Sequence, residues 1–126
     1  MSLTPEARAY LDAFKATGTP MESVSPEQAR ALVAPLKSRK EAVSEIRDIW
    51  IPGPAGELSA LVYTPLIHED REDLLPTIVF FHGGGWVVGS PKSHDGMCRR
   101  LCNAMEAIVI SVDYRLAPEN KYPAAA

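Results

Sequence analysis

The stretch PTIVFFHGGGWVVGSP, residues 76 to 91, limits what this chain can fold into more than any other. An apolar strand runs straight into a histidine and three consecutive glycines. Glycine loses more backbone freedom on ordering than any other residue. Three in a row at a strand end imply either a turn that only glycine can make or a chemical use for bare backbone. The residues that follow narrow the choice. Residues 93 to 106 suit a helix, with Met97, Leu101, Ala104 and Met105 expected on its inner side and Arg99, Arg100 and Glu106 toward solvent. Residues 107 to 112 (AIVISV) form a second apolar run. Strand, loop, helix and strand in that order predict a β-α-β crossover with parallel strands. The TIVFF run, 77 to 81, does not alternate, which predicts a strand buried on both faces. The glycines then lie at the carboxyl end of a parallel strand, where open α/β sheets bind ligands.

Upstream, the period changes twice. Residues 1 to 40 are expected to be helical. Pro5 after Thr4 is a good helix start, and Tyr10, Leu11 and Phe14 make an apolar stripe. Gly18 and Pro20 interrupt it. Ser25 and Pro26 restart it, with Ala29, Leu32, Val33 and Leu36 as a second stripe. Each stripe needs a surface to cover, either the body of the domain or a site over which the helices form a mobile cover. From residue 44 the pattern alternates: Ile46, Asp48 and Trp50 on one side, Arg47, Ile49 and Ile51 on the other. PGPAGE, 52 to 57, reads as a turn and 58 to 64 as a second strand, so the pair predicts an antiparallel hairpin. Residues 65 to 76, which include His68, read as a polar surface loop.

Composition removes several classes. The chain has 126 residues, enough for one ordinary domain. Its net charge of -3 and lack of a basic tract argue against nucleic acid or an anionic membrane as partner. No run is long and apolar enough to span a bilayer. The N-terminal residues lack the order of a signal peptide, so a cytoplasmic protein is expected. Cys98 and Cys102 share a helical face. Without a second pair they make a poor closed metal site, and buried free thiols are the expectation.

Two chemistries suit the glycine loop. Gly83, Gly85 and Gly89 approach a dinucleotide-binding pattern, and Asp113 ends the next strand where a ribose-binding acid sits. Against this, Pro91 separates the glycines from the helix, Trp86, Val87 and Val88 put bulk where pyrophosphate needs the helix N-terminus, and His82 has no role. The other chemistry is an oxyanion hole, in which unobstructed backbone N–H groups stabilise the charge that forms on a carbonyl oxygen during acyl transfer. His82 then acts as a brace for the loop rather than as a base.

HGGGW (82 to 86), Gly89, DYRLAPE (113 to 119) and YPAA (122 to 125) arrive in an order and spacing that closely resemble the hormone-sensitive-lipase-like family of α/β-hydrolase carboxylesterases. The resemblance covers 76 to 126, with 44 to 64 as that fold's first two strands. It implies an α/β protein carrying the N-terminal part of an α/β-hydrolase fold: strands 1 to 4 of a mostly parallel sheet and the first crossover helix. Residues 1 to 40 would be a helical cap segment and 41 to 126 the start of the core. It also implies oxyanion N–H groups from Gly83 and Gly84, positioned by His82, and a pocket wall shaped by Gly85 and Trp86. Small carboxylic esters are the implied substrates, with no metal or cofactor. Asp113, Arg115 and Glu119 are expected to form a structural charge cluster, and His94 and Asp95 to open the helix without a catalytic task, Asp95 favouring its positive end.

The family's nucleophile is not found. No serine lies in a G-x-S-x-G, and the acid and histidine that accompany it in the family come later than Ala126. Pro123 is expected to open a helix through the alanines. The chain alone is therefore expected to be inactive. TIVFF would have an unpaired edge, so the chain is expected to be poorly soluble, swapped, or completed by the rest of the fold or by a second copy. Two other readings remain: an acyl- or carboxylate-binding module on the same fold, and the dinucleotide domain.

Overall fold

A computed structural model describes residues 3–16, 23–33, 40–66 and 74–126. Gly18, Pro20, Leu36 and His68, singled out above, lie outside the described residues. Helices α1 (Pro5–Ala16) and α2 (Pro26–Leu32) precede a hairpin of β1 (Glu45–Gly53) and β2 (Gly56–Thr64). Strand β3 (Thr77–Phe81), a single 3-10 turn (Lys92–His94), helix α3 (Asp95–Ala104) and strand β4 (Ile108–Val112) follow. The sheet order is β1-β2-β4-β3. β3 pairs with β4 in parallel, as the crossover pattern requires, while β2 pairs antiparallel with both β1 and β4. No helix among the described residues is long and apolar enough to cross a membrane.

Local signals account for most element ends. Thr4 Oγ1 accepts from the Ala7 N–H at 3.2 Å. Ser25 and Gln28 form a reciprocal capping box at α2, with bonds of 3.2 and 2.9 Å. Gly53 pairs with Gly56 across the two-residue hairpin turn. The stripes of the two helices behave differently from expectation. α1 buries no residue, and Tyr10 on its stripe is 72% exposed. α2 buries Ala29 but leaves Leu32 exposed.

The core is one row across the sheet. Ile46 faces Tyr63, Tyr63 faces Val109, and Val109 faces Ile78. Tyr63, Val109, Cys98 and Cys102 are fully buried, so the two thiols pack as small apolar groups. Helix α3 covers this face with Asp95, Gly96, Cys98 and Cys102 rather than with the methionines. Met97 and Met105 are exposed, a correction to the expected face. The inner positions are the ones that meet Tyr63 and Val109 across the sheet, with Leu101 partly buried beside them. Arg99 is also corrected: it turns inward, donating from Nε to Asp95 at 3.0 Å and from Nη1 to the Glu41 carbonyl at 3.0 Å. β3 is not buried on both faces. Val79 and Phe81 are exposed, because no described helix covers its second face.

Asp95 joins the pieces. Its carboxylate accepts from the Tyr63 hydroxyl at 3.2 Å and from Arg99, and pairs with Lys40 at 3.0 Å. Burial works against its charge, but Lys40 and Arg99 outweigh that and hold its pKa below the usual carboxylate value. The same burial, next to that carboxylate, raises the Tyr63 hydroxyl far above its ordinary value, so it remains a donor. Asp95→Ala is expected to destabilise the chain by roughly 2–3 kcal/mol, since it strands buried donors on Tyr63 and Arg99. A urea unfolding midpoint unchanged from wild type would refute this role.

Candidate functional site

The parallel register puts Phe81 opposite Val112. The chain therefore leaves both strands at the same edge, and His82 to Trp86 run beside Asp113 and Tyr114. A cavity of about 540 Å³ opens there, lined by Phe81, the 82 to 86 loop, Tyr114, Ala125 and Ala126. Gly85 and Trp86 also line a second cavity of about 450 Å³ with Ala117, Asn120 and Tyr122.

The loop is held peptide by peptide. A trans peptide is planar, so its C=O and N–H point in opposite directions and anchoring one aims the other. The Tyr114 hydroxyl donates to the His82 carbonyl at 2.5 Å, which orients the Gly83 N–H. Burial raises the Tyr114 pKa, so the hydroxyl keeps its proton. His82 Nδ1 lies 2.9 Å from the Gly83 carbonyl, which orients the Gly84 N–H. A carbonyl only accepts, so Nδ1 carries the proton in this bond. The Gly84 carbonyl accepts from the Val87 and Val88 N–H groups at 3.1 and 3.0 Å, which orients the Gly85 N–H. Among the described residues, no group accepts from the N–H of Gly83, Gly84 or Gly85. Three adjacent peptides of the loop are thus anchored through their carbonyls, leaving three successive N–H groups without an acceptor among the described residues.

His82 is 3% exposed. Its ring stacks with Tyr114 at 4.4 Å and with His94 at 5.5 Å between centroids. Its Nε2 is buried without a partner among the described residues. With Nδ1 occupied and Nε2 closed off, this histidine supports the loop and does not present a base to the cavity. The glycines differ in what they permit. A Cβ on Gly84 would lie 1.9 Å from the Val88 carbonyl oxygen, at a φ of +137°. One on Gly89 would lie 2.5 Å from the Gly83 oxygen and 2.6 Å from His82 Nδ1, at a φ of +95°. A Cβ on Gly83 meets nothing within 4 Å. Trp86 keeps a φ of 59°, which costs a non-glycine residue energy. Its carbonyl accepts from the Ala117 N–H at 2.7 Å.

The structure thus brings His82, Gly83, Gly84, Gly85 and Trp86 together. Tyr114, His94 and Gly89 complete their support and were not singled out as such from the sequence. Tyr114 lay in a stretch read only as structural, and the parallel β3–β4 register was the available signal. The Asp113, Arg115 and Glu119 cluster is corrected. These side chains diverge, since each reaches a nearer partner: Asp113 the Ser59 hydroxyl at 3.4 Å, Arg115 the Ala124 carbonyl at 2.9 Å, and Glu119 the guanidinium of Arg30 at 2.7 Å. The alanines after Pro123 form a turn rather than a helix. Helix α3 begins at Asp95, six residues past Gly89, with His94 as its N-cap.

Comparison with known proteins bears on the fold. A family model for the alpha/beta hydrolase fold matches residues 78–126. Carboxylesterase NlhH of Mycobacterium tuberculosis is 39% identical over 97% of this chain and 38% of its own length. An arylesterase of Saccharolobus solfataricus is 36% identical over 99% of this chain and 41% of its own. Among solved structures, an ester-hydrolase from the metagenome of Lake Arreo, complexed with a bipyridine phosphonate derivative, superposes with a TM-score of 0.85. It is 35% identical and matches 98% of this chain and 41% of that one. A hyperthermophilic esterase from Pyrobaculum calidifontis gives 0.81 at 38% identity, over 99% of this chain and 40% of that one. The chain thus spans about two fifths of the length of these relatives.

Gly84→Ala and Gly89→Ala are each expected to cost more than about 2 kcal/mol, and Gly83→Ala less than about 1 kcal/mol. Urea unfolding of the three variants checks the ranking, and equal costs would contradict the described loop. Glu119 gives a pH test. The hydrogen bonds from Arg30 hold its carboxyl at about 2, against an ordinary value of 4.5. A folded-state value below the unfolded one means that the pair contributes fully above the ordinary titration and is lost as pH falls through about 2. NMR titration of the Glu119 carboxyl should show it still ionised where free glutamate is protonated.

Proposed function

Over the part it spans, the chain belongs to the hormone-sensitive-lipase-like family of α/β-hydrolase-fold proteins, and on that footing we propose that it is part of a serine carboxylesterase acting on small carboxylic esters. The observation that carries this reading is the run of three peptides whose carbonyls are all held, leaving the N–H groups of Gly83, Gly84 and Gly85 free beside an open cavity. Acyl transfer through a serine needs such donors where the tetrahedral oxyanion forms. They accelerate the step because they are already oriented when charge develops. Gly83 and Gly84 supply the oxyanion donors and His82 positions them. Gly85 and Trp86 form the wall against which the acyl or alkoxy group rests, and Phe81 adds apolar surface. A modest acyl length rests on the family resemblance alone.

The sequence holds no G-x-S-x-G, so the attacking serine, its base and the orienting acid come from outside these residues. The chain alone should not hydrolyse esters, and the remaining part of the fold completes it. No metal or cofactor takes part in this scheme. A reducing compartment such as the cytoplasm suits its two buried thiols.

The test is a chimera in which these 126 residues replace the matching 40% of the Pyrobaculum calidifontis esterase. It should hydrolyse p-nitrophenyl butyrate. Gly83→Pro, which deletes one N–H donor, should lower kcat by about 100- to 1,000-fold, while Gly83→Ala, which keeps it, stays near the parent. A folded chimera that binds the ester without cutting it would favour a binding module, and undiminished turnover in Gly83→Pro would remove the oxyanion role.

A further inference from the structure

Arg30 makes an unusual set of contacts for a residue on a short outer helix. Its Nε donates to the Val87 carbonyl at 2.8 Å. Nη1 and Nη2 grip the two oxygens of Glu119 at 2.8 and 2.7 Å. Nη2 also reaches the Ala117 carbonyl at 2.9 Å. Four of the five guanidinium donors are thereby spent in one plane. The neighbouring Ala117 N–H holds the Trp86 carbonyl at 2.7 Å. Two consecutive carbonyls of the glycine loop, those of Trp86 and Val87, are thus caught by one assembly of α2 and the 117 to 119 turn.

We propose that Arg30 is a positioning residue for the N–H donor loop: it fixes the outgoing limb of the loop, as Tyr114 and His82 fix the incoming limb. The consequence for the reaction rests on the esterase reading; the mechanical coupling does not. The route is short. Val87 and Val88 hold the Gly84 carbonyl through their N–H groups, so the stretch Arg30 grips is the stretch that aims the Gly85 N–H. Trp86 lies between, in a left-handed conformation that relaxes once its flanks are freed. Arg30 is itself well placed to bear load, since the capping box at Ser25 and Gln28 and the buried Ala29 set its backbone. On this account α2 is a brace and not a freely moving cover. Lysine cannot replace Arg30, because a single ammonium cannot hold a carboxylate with both oxygens and two carbonyls in one plane.

Residue-resolved amide exchange on the chimera, where the rest of the fold completes the sheet, tests the coupling whether or not the chimera hydrolyses esters. In Arg30→Met, the N–H groups of Val87, Val88 and Ala117 should exchange about tenfold faster or more, while those of the β1–β2 hairpin hold. Arg30→Lys should behave like Arg30→Met, and Glu119→Gln should move the same amides less. Unchanged exchange at Val87 and Val88 in Arg30→Met would overturn the proposal, as would wild-type exchange in Arg30→Lys. Should Arg30→Met fail to fold, Arg30→Lys and Glu119→Gln decide it by the same readout. In the esterase chimera, Arg30→Lys should lower kcat with KM held, the mark of an interaction made in the transition state. If no chimera hydrolyses esters, the esterase reading fails while the exchange result still decides the coupling. Faster exchange with kcat untouched in an active chimera would overturn the positioning role.

Discussion

Because β3 and β4 run parallel with Phe81 opposite Val112, the chain leaves both strands side by side at one edge of the sheet. Everything distinctive in the molecule depends on that pairing. It places the Tyr114 hydroxyl under the His82 carbonyl, brings the 117 to 119 turn against Trp86, and leaves the glycines facing open space. An antiparallel return would have sent the chain to the opposite edge and left the glycine loop without supports. The loop has few side chains of its own, so its geometry is borrowed from neighbours through the carbonyls of its peptides.

How legible this was in the sequence differs from element to element, for physical reasons. The hairpin, the crossover and the glycine loop were legible because each is a local pattern: alternation over 45 to 64, two apolar runs around a helix, and glycines at a strand end. Inner faces were less so. Hydrophobicity alone put Met97 and Met105 inside α3, but Cys98 and Cys102 occupy the face that packs on Tyr63 and Val109. TIVFF looked buried on both faces, yet no described helix covers its second face, and Val79 and Phe81 are exposed there. Which face a neighbouring layer covers is a property of the assembled fold, which no single strand encodes.

Charged residues were the hardest to read. Asp113, Arg115 and Glu119 are close in sequence and looked like one cluster, but nearer partners draw them apart. The partner of Glu119 is Arg30, far away in the chain, on a helix whose relation to the loop has no local signature. His82 and the glycines stood out in the sequence from their types alone. Their supports, Tyr114 and Arg30, act through backbone carbonyls, and a carbonyl carries no side-chain signal.

The contacts around Asp95 also bear on the chain entropy that each pairing costs. The β1–β2 hairpin closes through a two-residue turn, so its pairing costs little chain entropy. Pairing β2 with β4 instead closes a loop of several tens of residues, and the Tyr63–Asp95 and Lys40–Asp95 contacts form only when that loop is shut. The hairpin is thus the part of the sheet whose pairing closes the shortest loop. The crossover that carries the glycine loop joins it across a much longer closure, with Asp95 as the charge that completes the join.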